Sequence, residues 1–312
     1  MKMPLLIGML VRSNTNKALV SQTRRPAQSY SIGVMHQARH SAQKDRVLSL
    51  NQQKHFARNI VGRGCGVLYE YAVQYIDFQE LGQPTPMWIN MIRNPIHTLI
   101  SRFYRNHERW DPSVPRLLDK CVRQAIADGP ESVSAMACLR PTIQILWFCG
   151  QHEDCIFNAT DIRDPHWRQY RLQKARLRAE ANVASKYAVV GIYENMTTFA
   201  NMLQRMIPTF FKGAKSAWPP IEQEIKKKQK KKIVNPANNH TVRLFEGQFP
   251  YPTNATVRLL EDHYQEEVKF YQSTKHNFEM RASACGMYRI VKNYTYAPPL
   301  PWPLPKGCIN SE

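Results

Sequence analysis

The segment that limits the fold most sharply is Met87-Trp88-Ile89-Asn90-Met91-Ile92, which runs through Arg93-Asn94 directly into Pro95. A short, nearly continuous apolar run of this kind reads as a strand buried on both faces. Pro95 suits the first turn of a helix, where its missing N–H is not needed. Ile96, Leu99, Ile100, Phe103 and Tyr104 then give that helix one apolar face. Tyr187-Ala188-Val189-Val190-Gly191-Ile192 reads as a second buried strand, and an amphipathic helix is expected over Phe199–Phe211. Buried strands separated by helices predict an α/β domain with a central sheet and helices on both faces.

Between these landmarks the chain is less regular. Residues 12–55 are polar and basic with weak periodicity, and Val67–Phe78 is rich enough in β-branched and aromatic residues to hold a strand. Gly82-Gln83-Pro84-Thr85-Pro86 is a turn signal, and Asp164–Ser185 is a basic helical stretch. Thr253–Phe278 reads as the strongest helix, with Val257, Leu260, Tyr264, Val268 and Tyr271 at spacings of three and four. Lys226–Lys232, K-K-K-Q-K-K-K, reads as a loop, and Ala297–Lys306 as a Pro-rich extended tail.

Charge narrows the partners. Of 312 residues, 43 are Lys or Arg and 24 Asp or Glu, a formal net charge of +19. Such a surplus points to an anion: nucleic acid, a phosphate cofactor, an acidic polysaccharide or a membrane face. With only 13 Gly, a collagen-like chain is excluded, and no apolar stretch approaches the roughly 20 residues needed to span a bilayer. The seven Cys contain no C-x-x-C pair and no zinc-finger spacing, so no metal is expected. Spacing allows a loop closed by Cys149 and Cys155 and another by Cys121 and Cys138, and leaves four buried thiols equally open. Asn158, Asn195, Asn239, Asn254 and Asn293 each begin an N-x-Thr sequon, and five together favour the secretory route, where disulfides persist. Met3–Val11 is apolar but short for a signal peptide and too short for an anchor.

Arg93 is the residue most directly placed for an anion. It follows a buried strand, and open α/β sheets bind ligands beyond the carboxyl ends of their strands. The helix start beside it is expected to offer free N–H groups and partial positive charge. Ser101, two turns along, is a candidate second donor. The bland alternative is a surface ion pair for Arg93 and a solvated Ser101.

Here a resemblance enters. Y-I-D-F-Q-E-L-G-Q-P-T-P (residues 75–86), I-N-M-I-R-N-P-I-H-T-L-I-S-R-F-Y (89–104), W-F-C-G-Q-H-E-D-C (147–155), V-V-G-I-Y-E-N-M (189–196) with P-T-F-F-K-G (208–213), and E-E-V-K-F-Y (266–271) occur in order and with compatible spacing. The chain thereby resembles the uronyl 2-O-sulfotransferase group: heparan sulfate 2-O-sulfotransferase, dermatan/chondroitin uronyl 2-sulfotransferase and the insect protein Pipe. The resemblance covers roughly residues 46–280. It implies a central parallel sheet of the P-loop-like sulfotransferase fold, a homotrimer, and a Golgi location with a type II anchor. It also implies transfer of sulfate from PAPS (3′-phosphoadenosine 5′-phosphosulfate) to the 2-hydroxyl of a uronic acid in heparan or dermatan sulfate. No nucleic-acid partner is expected.

Residue by residue, the resemblance makes Arg93 and Ser101 ligands of the 3′-phosphate and Arg243 a nucleotide contact. It makes Cys149–Cys155 one disulfide and Cys121–Cys138 another. Asn94 stands where the family has Asp. Arg102, Arg105 and Arg109 are candidates for the acceptor groove, and Lys226–Lys232 is either a polymer-tracking loop or a solvated one. Residues 1–45 read as a degenerate remnant of the 5′-phosphosulfate loop region, 46–280 as the sulfotransferase domain and 281–312 as a tail.

Two family groups are displaced. In Gly8-Met9-Leu10-Val11-Arg12, Arg12 takes the place of the Lys that neutralises the leaving phosphate, and Arg is bulkier and donates no proton. The catalytic His position is occupied by Ala72, leaving Glu70, two residues earlier, as the candidate base. Against an active enzyme stands the alternative of a catalytically impaired relative that binds acidic polysaccharide.

Overall fold

The structure is a computed structural model and describes residues 5–8, 34–36, 47–62, 68–71, 73–106, 114–129, 138–139, 144–156, 165–219, 223 and 252–287. Five strands, β1 (Leu5–Gly8), β2 (Val34–His36), β3 (Leu68–Tyr71), β4 (Met87–Ile92) and β5 (Tyr187–Ile192), form one sheet in the order β2-β3-β1-β4-β5. Every neighbouring pair is parallel. The central strand is β1, flanked by β3 (Leu5 opposite Leu68) and β4 (Leu5 opposite Met87). It lies within the apolar Met3–Val11 stretch.

In β4 and β5, residues of both parities are buried, as a sheet covered on both faces requires. The helices are α1 (Leu50–Gly62), α2 (Pro95–Asn106), α3 (Val114–Asp128), α4 (Gln144–Cys149), α5 (Pro165–Ser185), α6 (Met196–Met206), α7 (Pro208–Phe211), α8 (Asn254–His263) and α9 (Gln265–Ala284).

Several expectations are corrected. The helix expected over Phe199–Phe211 begins at Met196 and breaks at Ile207 (φ −136°, ψ 58°), because Pro208 disfavours helical backbone in the residue before it. The single helix expected over Thr253–Phe278 is two, parted at Tyr264 (φ −106°, ψ 27°). The strand expected within Val67–Phe78 covers only Leu68–Tyr71, and beyond it Tyr75 N–H donates to the Trp147 carbonyl at 2.8 Å. Helix α1 begins inside the stretch of weak periodicity. Its start is a capping box: Gln52 N–H donates to Ser49 Oγ at 3.3 Å and Ser49 N–H to Gln52 Oε1 at 2.8 Å.

Two cores result. The larger joins β4 and β5 to α1, α4, α5, α6 and α9. At its centre Trp88 and Tyr187 lie 6.0 Å apart between ring centroids, and Phe148 lies 5.2 Å from Tyr187 and 5.3 Å from Phe270. Gly191 is required where α6 crosses β5, since a Cβ there would stand 2.5 Å from the Phe199 ring. The smaller core packs Ile96, Leu99, Ile100 and Phe103 of α2 on Leu118 and Val122 of α3 and on Leu260 of α8.

Disulfides join Cys121 to Cys138 across 17 residues and Cys149 to Cys155 across 6, resolving the alternative left open by spacing. Cys285 is buried and in neither bridge. Among the described residues no helix is long and apolar enough to cross a membrane.

Candidate functional site

Strand order defines where a ligand belongs. From β1 the chain continues to β2 on one side of the sheet, and from β4 to β5 on the other. The carboxyl ends of β1 and β4 therefore flank the topological switch, the position at which open parallel sheets bind ligands. Arg93 is the first residue after β4. Glu70, near the carboxyl end of β3, is in register with Ile7 of β1, which is itself in register with Ile89 of β4. Along the strand direction the Glu70 backbone is therefore level with Ile89, four residues before Arg93.

Arg93 is held by its backbone rather than by its charge. Its N–H donates to Gln144 Oε1 at 3.0 Å, and its carbonyl accepts from Gln144 Nε2 at 2.7 Å. The guanidinium stacks on Tyr193, with Cζ 4.8 Å from the ring centroid. Its Nε is buried and has no hydrogen-bond partner, and among the described residues no carboxylate pairs with it. Among the described residues nothing forms the surface ion pair of the alternative, and a guanidinium so placed suits an anion.

The expectation of free N–H groups at the start of α2 is corrected. Asn94 caps this helix: its Oδ1 accepts from Ile96 N–H at 2.9 Å and His97 N–H at 3.1 Å. Pro95 has no N–H, and Thr98 N–H donates to the Asn94 carbonyl at 2.9 Å. Asn94 N–H in turn donates to Glu194 Oε1 at 3.0 Å. Capping engages the donors that the sequence reading assigned to the anion, which leaves the Arg93 guanidinium and the helix dipole.

Glu194 follows β5 directly. Besides Asn94 it accepts from Tyr271 Oη at 3.1 Å and lies 4.0 Å from His97 Nδ1. Burial, and then the Glu194 carboxylate, push the Tyr271 phenol up, so it stays a hydroxyl donor.

Behind Gln144 stands Glu267 of α9, 4% exposed. Its two oxygens accept from the first two N–H groups of α4, Gln144 at 3.1 Å and Ile145 at 3.2 Å. Burial pushes this carboxyl up to about 8, against the downward pull of the Ile145 and Gln144 N–H groups. A carboxyl raised in the folded state stabilises the fold fully below its ordinary value, and that contribution is lost as pH rises through about 8. Melting temperature is therefore expected to fall between about pH 4.5 and pH 8 and to level off above. A shallower slope in Glu267→Gln, followed by circular dichroism, checks it; equal slopes refute the assignment.

Ser101 is partly buried in α2, one turn beyond His97, and Arg102 is its partly buried neighbour. Arg105 belongs to the same helix by backbone. Of the sequons, Asn195 is partly exposed and Asn254 exposed. Arg12, Ala72, Arg109, Asn158, Asn239, Asn293, Arg243, Lys226–Lys232 and residues 297–306 lie outside the described residues. A shallow groove along α3, lined by Asp119, Lys120, Arg123, Gln124 and Ala127, contains none of the sequence-predicted site residues. Among the described residues no group of His, Cys, Asp and Glu is arranged to hold a metal.

Gln144, Tyr193, Glu194 and Glu267 were missed in the sequence reading. The last three fall inside segments that carry the resemblance, so family order marked their neighbourhoods without assigning them roles. Gln144 had no local signal.

No protein-family model matches the chain. Human uronyl 2-sulfotransferase is 26% identical over 269 residues, covering 81% of this chain and 57% of the relative. Mouse heparan sulfate 2-O-sulfotransferase 1 is 26% identical over 272 residues, covering 80% and 66%. A heparan sulfate 2-O-sulfotransferase of Caenorhabditis elegans is 26% identical over 247 residues, covering 75% and 66%. The chain thus spans 57% to 66% of the length of these relatives. Across about four fifths of its length, and with Arg93 at the switch of a parallel sheet, the chain is similar to the uronyl and heparan sulfate 2-O-sulfotransferases.

Proposed function

We propose that the chain is a glycosaminoglycan uronyl 2-O-sulfotransferase. The observation that carries the reading is Arg93: a guanidinium at the carboxyl edge of β4, with a buried Nε that has no acceptor. Such a group fits a phosphate, and the relatives are named uronyl 2-sulfotransferase and heparan sulfate 2-O-sulfotransferase 1. The all-parallel order β2-β3-β1-β4-β5 supports a P-loop-like sulfotransferase core, with residues 46–280 supplying most of it around strands drawn from residues 1–45.

PAPS, when bound, supplies the activated sulfuryl group. Arg93 and Ser101 hold its 3′-phosphate, and Arg243 adds a nucleotide contact. Arg12 neutralises charge in the position of the family Lys. Glu70 takes the proton of the acceptor hydroxyl, since Ala72 cannot. Arg102, Arg105 and Arg109 line the path of the polymer, and the net charge of +19 suits an acidic chain. The five sequons and two disulfides suit a glycoprotein of the Golgi lumen, anchored and trimeric as the family implies.

The test is incubation with radiolabelled PAPS and 2-O-desulfated heparan or dermatan sulfate, followed by disaccharide analysis. A 2-O-sulfated uronate is expected. Salt-dependent retention on heparin with no product at high protein concentration would replace this reading by that of a binding protein.

A further inference from the structure

We infer that Gln144 and Glu267 form a positioning relay that sets Arg93 for its anion, so that nucleotide affinity depends on a buried carboxyl group that touches no ligand. This rests on the reading of Arg93 as a phosphate ligand.

Helix α4 is the middle of the relay. It has six residues, too few to be stable alone, so its position comes from what grips it. At its start, Glu267 accepts from the N–H groups of Gln144 and Ile145, two donors that a helix leaves without internal partners. At its end, Asn182 Nδ2 of α5 donates to the carbonyls of Phe148 at 2.8 Å and Cys149 at 3.2 Å. The Cys149–Cys155 bridge ties the same end to the following turn.

Gln144 is 3% exposed, and among the described residues its side-chain amide engages Arg93, accepting from its N–H at Oε1 and donating from Nε2 to its carbonyl. This two-point clamp fixes the backbone of the residue that ends β4. Among the described residues the guanidinium has no acceptor to orient it and rests on the Tyr193 ring. Its direction is therefore inherited from the backbone, and the backbone is held by Gln144, which Glu267 positions across 123 residues of sequence.

Calorimetric titration of the full chain with adenosine 3′,5′-bisphosphate tests this. Gln144→Met keeps the side chain's length and removes both bonds to Arg93. It is expected to raise Kd about tenfold, the loss of one to two hydrogen bonds. Glu267→Asp, which is too short to reach both N–H groups, should weaken binding in the same direction. In an Arg93→Ala background, Gln144→Met should change the residual Kd by less than about twofold, because non-additivity marks residues acting through one path. Tight binding by wild type that is unchanged in Gln144→Met overturns the relay alone, as does an undiminished effect in the Arg93→Ala background. Failure of wild type to bind the nucleotide overturns the phosphate reading as well.

Discussion

Arg281→Met is expected to lower the unfolding free energy by about 3 kcal/mol, enough to threaten a domain whose whole margin is typically about 5–15 kcal/mol. Arg281 sits in α9, 5% exposed, with no carboxylate beside it among the described residues. Its Nη1 donates to the carbonyls of Tyr187, at 2.8 Å, and Ala188, and its Nη2 to that of Ala184 at 2.9 Å, with Val183 at 3.4 Å. These carbonyls belong to the last turn of α5 and the first residues of β5, where a helix leaves acceptors without partners. One guanidinium therefore satisfies the joint between helix and strand.

Two effects compete in the substitution. Met returns the several kcal/mol spent on burying a charge, a cost visible in the Arg281 pKa, which burial brings down to about 10. It also leaves up to four carbonyls unpaired, at about 1–3 kcal/mol for each one kept from water. The second effect wins because Ala184 and Ala188 are only partly buried yet Val183 and Tyr187 are not reached by solvent. Arg281→Lys, with one ammonium for a two-armed fork, should recover part of the loss. Denaturant titration decides it: a change below 1 kcal/mol in Arg281→Met would refute the role.

The second large effect falls on binding and spares the fold. Arg93→Ala should weaken adenosine 3′,5′-bisphosphate about 100-fold, the scale of one bidentate charge-assisted contact in a sheltered site. Thermal stability should change little, because the guanidinium makes no ion pair or hydrogen bond within the described residues and gives up only its stacking on Tyr193. Arg93→Lys should bind with intermediate affinity, keeping charge and losing the fork. Calorimetry and melting curves measured on the same samples separate the outcomes. Undiminished binding refutes the ligand role; a large drop in melting temperature makes Arg93 a structural residue.

What the sequence discloses and what it hides follow from range. Met87–Ile92 and Tyr187–Ile192 are strands with the boundaries read from their apolar runs, because a strand buried on both faces leaves a contiguous local signature. Pro95 likewise marks the first residue of α2. Helix breaks at Ile207 and Tyr264 escaped the periodicity, since apolar spacing continues through them. The Ser49–Gln52 capping box was present in the sequence and was overridden by the polar composition around it.

At the site, Arg93 is legible because strand, cation and helix start are adjacent in the chain. The occupation of the α2 donors by Asn94 is local too, and Asn is a strong capping residue at that position. The Gln144 and Glu267 contacts are not legible, because each spans a separation of 51 or more residues and leaves no periodic trace. Sequence order through the resemblance reached the neighbourhood of Glu267; only tertiary packing gave it a role.

The central position of β1 bears on how the chain is assembled. Leu5–Gly8 is made well before both of its partners, Leu68–Tyr71 and Met87–Ile92. This apolar segment must therefore wait with unpaired edges until β3 and β4 exist, the circumstance in which nascent chains depend on chaperones. The helix that bolts α5 to β5 through Arg281 arrives later still. A chain shortened past Gly8 would not lose an edge of the sheet. It would lose the strand between β3 and β4, and β2-β3 would be left unconnected to β4-β5.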